Sequence, residues 1–122
     1  MSERSYRVFA EDILEAMDKI ERYIASLTYQ VFAQNEMIVD AVIRNLEIIG
    51  EASRNIPEDV KGRHPHIPWR RMIGLRNLII HQYFGVDLDI IWEIISKNLP
   101  ETKPMIIEML REFNENSVDG WK

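Results

Sequence analysis

The sequence predicts an all-α fold: an antiparallel bundle of four main helices plus a short one, forming a single domain over residues 1–122. Three observations carry that prediction. Apolar residues recur at spacings of three and four along most of the chain, no segment alternates with the period of two that a strand requires, and prolines gather where one helical pattern gives way to the next. A chain of 122 residues can bury a proper core without disulfide or metal staples, and two domains would not fit in it.

From Tyr6 to Leu27 the apolar positions Phe9, Ile13, Met17, Ile20, Ile24 and Leu27 describe one face of a helix, and Glu11, Asp12, Glu15, Asp18, Lys19 and Arg22 form a face that meets water. Thr28 to Gln34 stay ambiguous. Asn35 is a natural N-cap for a second long helix running through Ile38, Ala41, Val42, Leu46, Ile49 and Ala52, with Val39, Ile43 and Ile48 widening the apolar arc so far that burial on two sides is expected. Gly50 inside that pattern costs about 1 kcal/mol of helix propensity, worth bearing where another backbone comes close. Glu51 beside it reads as a partner for an arginine rather than as a catalyst.

Asn55 to Pro68 holds three prolines and a glycine, so it is a connection, with room for one short turn at Pro57 to Val60. His64 and His66 stand there as H-P-H; lacking a third ligand, they read as a surface loop within reach of a ligand phosphate rather than as a metal site. A helix then runs from Trp69 to about Tyr83, with Pro68 at its start, where a missing N–H matters least. Gly85 and Val86 turn the chain and Asp87 caps a helix from Leu88 to about Asn98, with Ile90, Ile91, Trp92, Ile94 and Ile95 as packing candidates. Leu99 and Pro100 end it. A last helix covers Glu101 to Phe113, with Pro104 tolerable only in its first turn, and the polar tail from Asn114 to Lys122 should fray.

Composition excludes several classes of function. The chain has no cysteine, which removes disulfide frameworks, thiol nucleophiles and cysteine zinc sites and suits a reducing cytoplasm. Its N-terminus lacks the apolar core of a signal peptide, and no segment approaches the run of about 20 apolar residues that a membrane span needs, so a soluble, cytoplasmic protein with no membrane partner is expected. The net charge of −5 hides an uneven distribution. Between Val60 and Val86 there is no Asp or Glu, whereas Lys61, Arg63, Arg70, Arg71, Arg76 and all three histidines fall there. That pattern reads as a local anion site on an acidic body, unless those arginines pair with acids from other helices such as Glu47 or Glu51.

Within the central helix, Arg76, His81 and Tyr83 form the pattern Arg-x4-His-x-Tyr. At about 100° per residue, Arg76 and Tyr83 share one stripe, Asn77 and His81 share another, and the stripes lie roughly 140° apart. One helix therefore cannot easily aim Arg76 and His81 at the same atom, but two copies facing each other across a two-fold axis can. The inference is a homodimer with a composite cleft. Cleaving RNA without a metal needs a group to take the 2′-hydroxyl proton and another to hold the charge growing on the phosphoryl oxygens. Histidine, with an ordinary pKa of about 6.5, suits the first task, and the planar guanidinium fork of arginine suits the second. Asn77 can orient the imidazole or donate to the phosphate, Tyr83 can hydrogen-bond to phosphate or stack on a base, and Arg70 and Arg71 are further candidates for binding the substrate. No carboxylate lies in the segment to serve a metal-dependent nuclease, so no cofactor is expected.

The phrase GLRNLIIHQYF, preceded by IGEASRNI and IPWRRMI and followed by VDLDIIWEIISKNLP, resembles the HepT-type toxins of the HEPN superfamily, from the second helix to Pro100. The resemblance implies an all-α dimer whose Arg-x4-6-His motifs face a shared cleft and which cuts RNA without a metal. By that likeness Arg76 and His81 would be catalytic, with Asn77 the polar residue commonly found beside the arginine. It also implies a partner, a minimal nucleotidyltransferase antitoxin that transfers AMP from ATP to the motif tyrosine, here Tyr83. A common variant has glycine before that tyrosine where this chain has the bulkier Gln82. AMP on Tyr83 would place a large anion on the stripe of Arg76 and screen it. Two rival readings remain: a non-catalytic nucleotide- or RNA-binding subunit of a nucleotidyltransferase complex, and a purely structural dimerisation bundle.

Overall fold

A computed structural model describes the backbone of residues 3–82 and 88–121 and the side chains of residues 6–79 and 88–112. Among the described residues the chain is mostly helical, with short turns and loops between the helices, and contains no strand, as the sequence predicts. The first helix, α1 (Glu3–Ile24), buries Tyr6, Ala10, Ile13, Met17 and Ile20. It stops three residues before the expected Leu27. Ser26 takes φ 67°, and the Leu27 N–H closes back onto the Ile24 carbonyl at 3.0 Å. A left-handed backbone at a side-chain-bearing residue costs roughly 1–2 kcal/mol, and glycine removes that cost. Ser26→Gly is therefore expected to stabilise the chain by about 1 kcal/mol net, read as a rise in the urea midpoint at unchanged slope.

The ambiguous stretch after this turn forms α2 (Tyr29–Gln34), capped by the Thr28 hydroxyl, which accepts from the Val31 N–H at 3.2 Å. Asn35 caps α3 (Glu36–Asn55) as expected, its side-chain oxygen accepting from the Ile38 N–H at 3.0 Å. The wide apolar arc of α3 is buried on two sides, against α1 and against the two short helices that follow the proline-rich connection. That connection contains α4 (Glu58–Arg63), longer than the single turn anticipated.

The segment expected to be one helix from Trp69 to Tyr83 is two. α5 (Trp69–Ile73) ends at Gly74, and α6 (Leu75–Gln82) starts beyond it. A Cβ at Gly74 would lie 3.2 Å from the Arg70 carbonyl oxygen, so the tight junction leaves little room for a side chain there. The junction rests on α3 at Gly50, where a Cβ would meet the Arg76 amide nitrogen and the Met72 carbonyl oxygen at 3.4 Å each. The close backbone approach anticipated from Gly50 is thus the seat of the helix that carries Arg76. Trp69 locks the start of α5: it is buried, and its indole N–H donates to the His64 carbonyl at 3.0 Å.

Further along the chain, α7 (Leu88–Glu93) buries Ile91 and sets Trp92 against Phe32, their rings 5.2 Å apart. Ile90, expected to pack, is 45% exposed. The predicted break at Leu99 and Pro100 is absent. The chain passes through a π turn (Ile94–Asn98), in which the Leu99 N–H reaches the Ile94 carbonyl, and continues as α8 (Leu99–Trp121). Pro100 gives the reason: its ring would clash with the carbonyl four residues back, at Ser96, and the wider turn relieves that clash. The backbone of α8 runs to Trp121, past the end expected at Phe113, and Pro104 lies inside it. Lys103 ties α8 to α1, its ammonium 2.6 Å from Asp18 and 3.1 Å from Glu21. Among the described residues no helix is long and apolar enough to cross a membrane.

Candidate functional site

Arg76 is the anchor of the site. It stands in the first turn of α6 with its side chain 57% exposed, and its nearest described partner is Glu51 on α3, with Nη1 3.7 Å from the carboxylate. Glu51 is thus a partner for an arginine, as its position in the sequence suggests. At 3.7 Å the contact is looser than a hydrogen bond, and an exposed pair of this kind contributes about 0–1 kcal/mol, so an incoming phosphate could displace the carboxylate.

Together the two residues close one end of a groove of about 450 Å³ between α1 and α3. The polar face of α3 supplies Arg44, Glu47, Glu51 and Asn55, one helical stripe, and α1 supplies Phe9 and Asp12. Three carboxylates face two guanidiniums here, so the side of Arg76 turned toward α3 is acidic, and Glu47 and Glu51, the acids weighed as alternative partners for the basic run, both line it. Asp12, exposed to water as expected, also lines the groove, and partial desolvation, then the neighbouring Glu15 and Glu11, raise its carboxyl pKa. The groove's α3 wall is readable in the sequence as a polar stripe at three- and four-residue spacing, but nothing there points it at Arg76.

The other predicted site residues separate. Asn77 and Arg70 are exposed, and Arg70 and Arg71 make no ion pair among the described residues. Arg71 lines a different groove from Arg76, beside Met72 and Leu75. The backbone place of His81 on α6 lies one turn after Asn77 and, by helical register, about 140° round the helix from Arg76. The side chain of His81 and the whole of Tyr83 lie outside the described residues.

The histidines of the H-P-H loop also part company. His64 is not on the surface: it is 8% exposed, with its Nε2 3.6 Å from the Glu112 carboxylate of α8. Burial holds its pKa below the ordinary 6.5. Glu112 pulls it upward, while His66 and Arg63 add to the lowering. The folded chain therefore prefers the neutral ring, whereas the unfolded chain takes up a proton near 6.5. This contribution to stability is fully present above that pH and is lost as the pH falls through the folded-state value below it. Thermal melts from pH 7.5 to 5 should show a decline that His64→Gln flattens; identical slopes for the two proteins would contradict it.

The described residues form an all-α bundle with an exposed arginine seated on a glycine of the neighbouring helix, in a chain whose sequence there reads Arg-x4-His-x-Tyr. The sequence profile of the family described as Ribonuclease HepT-like matches residues 13–109, and the chain belongs to that family. It is 45% identical over 103 residues to a protein of Methanocaldococcus jannaschii named as a putative RNase, covering 84% of this chain and 94% of that one. A second such protein of the same organism is 40% identical over 121 residues, covering 97% of this chain and all of the relative. A protein of Thermococcus cleftensis named as a probable ribonuclease HepT is 45% identical over 100 residues, covering 82% of this chain and 91% of its own length. No solved structure gives a significant match.

Proposed function

We propose that this chain is a metal-independent RNA endonuclease, the toxin of a type VII-like toxin–antitoxin pair, acting as a homodimer in the cytoplasm. The observation that carries the proposal is Arg76: exposed, seated by its backbone on α3, and held among the described residues by one loose ion pair, within a chain of the HepT-like family. Relatives named as ribonucleases support the same activity here. In this reading the imidazole of His81 takes the 2′-hydroxyl proton, and the freed oxygen bonds to phosphorus. The bond from phosphorus to the 5′-oxygen breaks, and that oxygen receives a proton from an imidazolium. The products are a 2′,3′-cyclic phosphate and a 5′-hydroxyl. Arg76 of the facing protomer donates to the phosphoryl oxygens as their charge grows, Asn77 steadies the imidazole or the phosphate, and Arg70 and Arg71 hold flanking phosphates. The wide angle between the Arg76 and His81 positions on α6 is the reason for requiring two copies.

Control belongs to the same proposal. A minimal nucleotidyltransferase antitoxin would join AMP to Tyr83, the phenolic oxygen attacking the α-phosphate of ATP and releasing pyrophosphate. The added anion would compete for Arg76 and fill the cleft. Expression of His81→Ala is expected to be harmless and its purified protein inert toward RNA at unchanged helicity, with general base catalysis accounting for about 10²–10⁴ of the rate. A toxic, fully active variant would refute the assignment. Co-expression with the antitoxin should add the mass of an adenylyl group, AMP less one water, to the Tyr83 peptide.

A further inference from the structure

A second groove, of about 470 Å³, opens between α5–α6 and the run from α7 through the π turn into α8. Its floor is apolar and buried, formed by Met72 and Leu75 on one wall and Leu99 on the other, with half-buried Leu78, Ile94 and Met105 above them. Its rim is polar: exposed Arg71 and His66 on the α5 side face Asn98, Glu101 and Thr102 on the α8 side. The π turn shapes this wall. With the Leu99 N–H bonded to the carbonyl of Ile94, five residues back, both residues reach the same groove, and π turns of this kind are common at functional sites.

The volume lies in the range of small-molecule pockets, and an apolar slot with few polar groups at its edge is the usual build of such a pocket. Arg71 has no ion pair among the described residues, so its guanidinium is available to an anion at the mouth. The groove beside Arg76 is different in kind: three carboxylates and two guanidiniums line it, so it offers the face of a base less apolar surface. We propose that the second groove is a nucleoside subsite. It receives one base of the RNA strand on Leu78, Ile94 and Met105, Arg71 holds that nucleotide's phosphate, and Asn98 offers its side-chain amide to the base edge or the 2′-hydroxyl. A nucleotide has a flat, apolar base face for the slot and a phosphate anion for the rim, a pairing an apolar peptide segment lacks. This inference rests on the ribonuclease reading, since it names how the same substrate is gripped away from the cut.

The test uses full-length His81→Ala protein, so that binding is read without cleavage. Ribonucleoside 3′-monophosphates at millimolar concentration should shift the methyl resonances of Leu78, Ile94 and Met105, whereas inorganic phosphate should leave them in place. Met105→Trp, which fills the slot, and Arg71→Gln, an exposed change that cannot harm packing, should each weaken that binding by about tenfold and raise KM for RNA in the otherwise native protein by a similar factor. Equal shifts with inorganic phosphate, shifts confined to α1 and α3, or unaltered binding in Arg71→Gln would each overturn the subsite. A His81→Ala protein that still cuts RNA would instead overturn the role given to His81, and a native protein that never cuts RNA would overturn the ribonuclease reading, while these shifts would still report on the groove.

Discussion

Arg76→Ala will lower kcat/KM for RNA by about a thousandfold while the folded chain melts within a few degrees of the native protein. The two halves of that result have separate causes. A donor aimed at oxygens that gain charge in the transition state contributes about 3–4 kcal/mol, and the arginine fork supplies two such donors in parallel. Stability changes little because the guanidinium is more than half exposed and its pair with Glu51 is loose, so solvent already screens most of that interaction. Arg76→Lys sharpens the test. It keeps the charge but loses the fork, and is expected to recover only a small part of the lost rate. Full recovery with lysine would mean that Arg76 acts as a distant charge, not as a clamp on the phosphate. A large fall in melting temperature would return it to the structural reading, an ion pair holding α6 to α3.

Features that depend on residues within a turn or two of each other are legible in the amino-acid sequence. The cap at Asn35 follows from one side chain and the amide three residues on, and the helical faces of α1 and α3 follow from local periodicity. Gly50 can be read as a point of close approach because glycine inside a strong helical pattern needs a reason. Which backbone approaches cannot be read, since that depends on how α5 and α6 settle on α3. The π turn is hidden for a related reason: Pro100 reads as a helix stop, but packing of Ile91, Ile95 and Ile106 favours continuing the helix, and the chain widens one turn instead of ending it. His64 reads as exposed because proline flanks it, yet α8 arrives from far along the chain to cover it with Glu112. The arginines sort by the same logic. Arg76 and Arg71 belong to one basic run in the sequence, but the break at Gly74 and the flanking helices place them in different grooves, one lined by acids and the other by apolar side chains.

Gly50→Leu will cost about 3 kcal/mol of stability, or roughly 10 °C in melting temperature, and will reduce cleavage further than the loss of folded protein explains. A Cβ alone at this position meets the Arg76 amide nitrogen and the Met72 carbonyl oxygen at 3.4 Å, which is ordinary contact. Gly50→Ala should accordingly be tolerated, with the helix-propensity gain of about 1 kcal/mol offsetting any crowding. The atoms of leucine beyond Cβ have no such space. They press on the backbone of α5 and α6, which cannot rotate away as a side chain would, so the whole junction must lift from α3. Arg76 lifts with it, because the crowded atom is its own amide nitrogen, and a displacement of about 1 Å at a positioned group can cost a hundredfold in rate. Urea titration separates the two effects, since rates can be compared per folded molecule. Normal specific activity in a destabilised Gly50→Leu protein would show that the seat on α3 serves folding alone, and that Arg76 finds its place by another route.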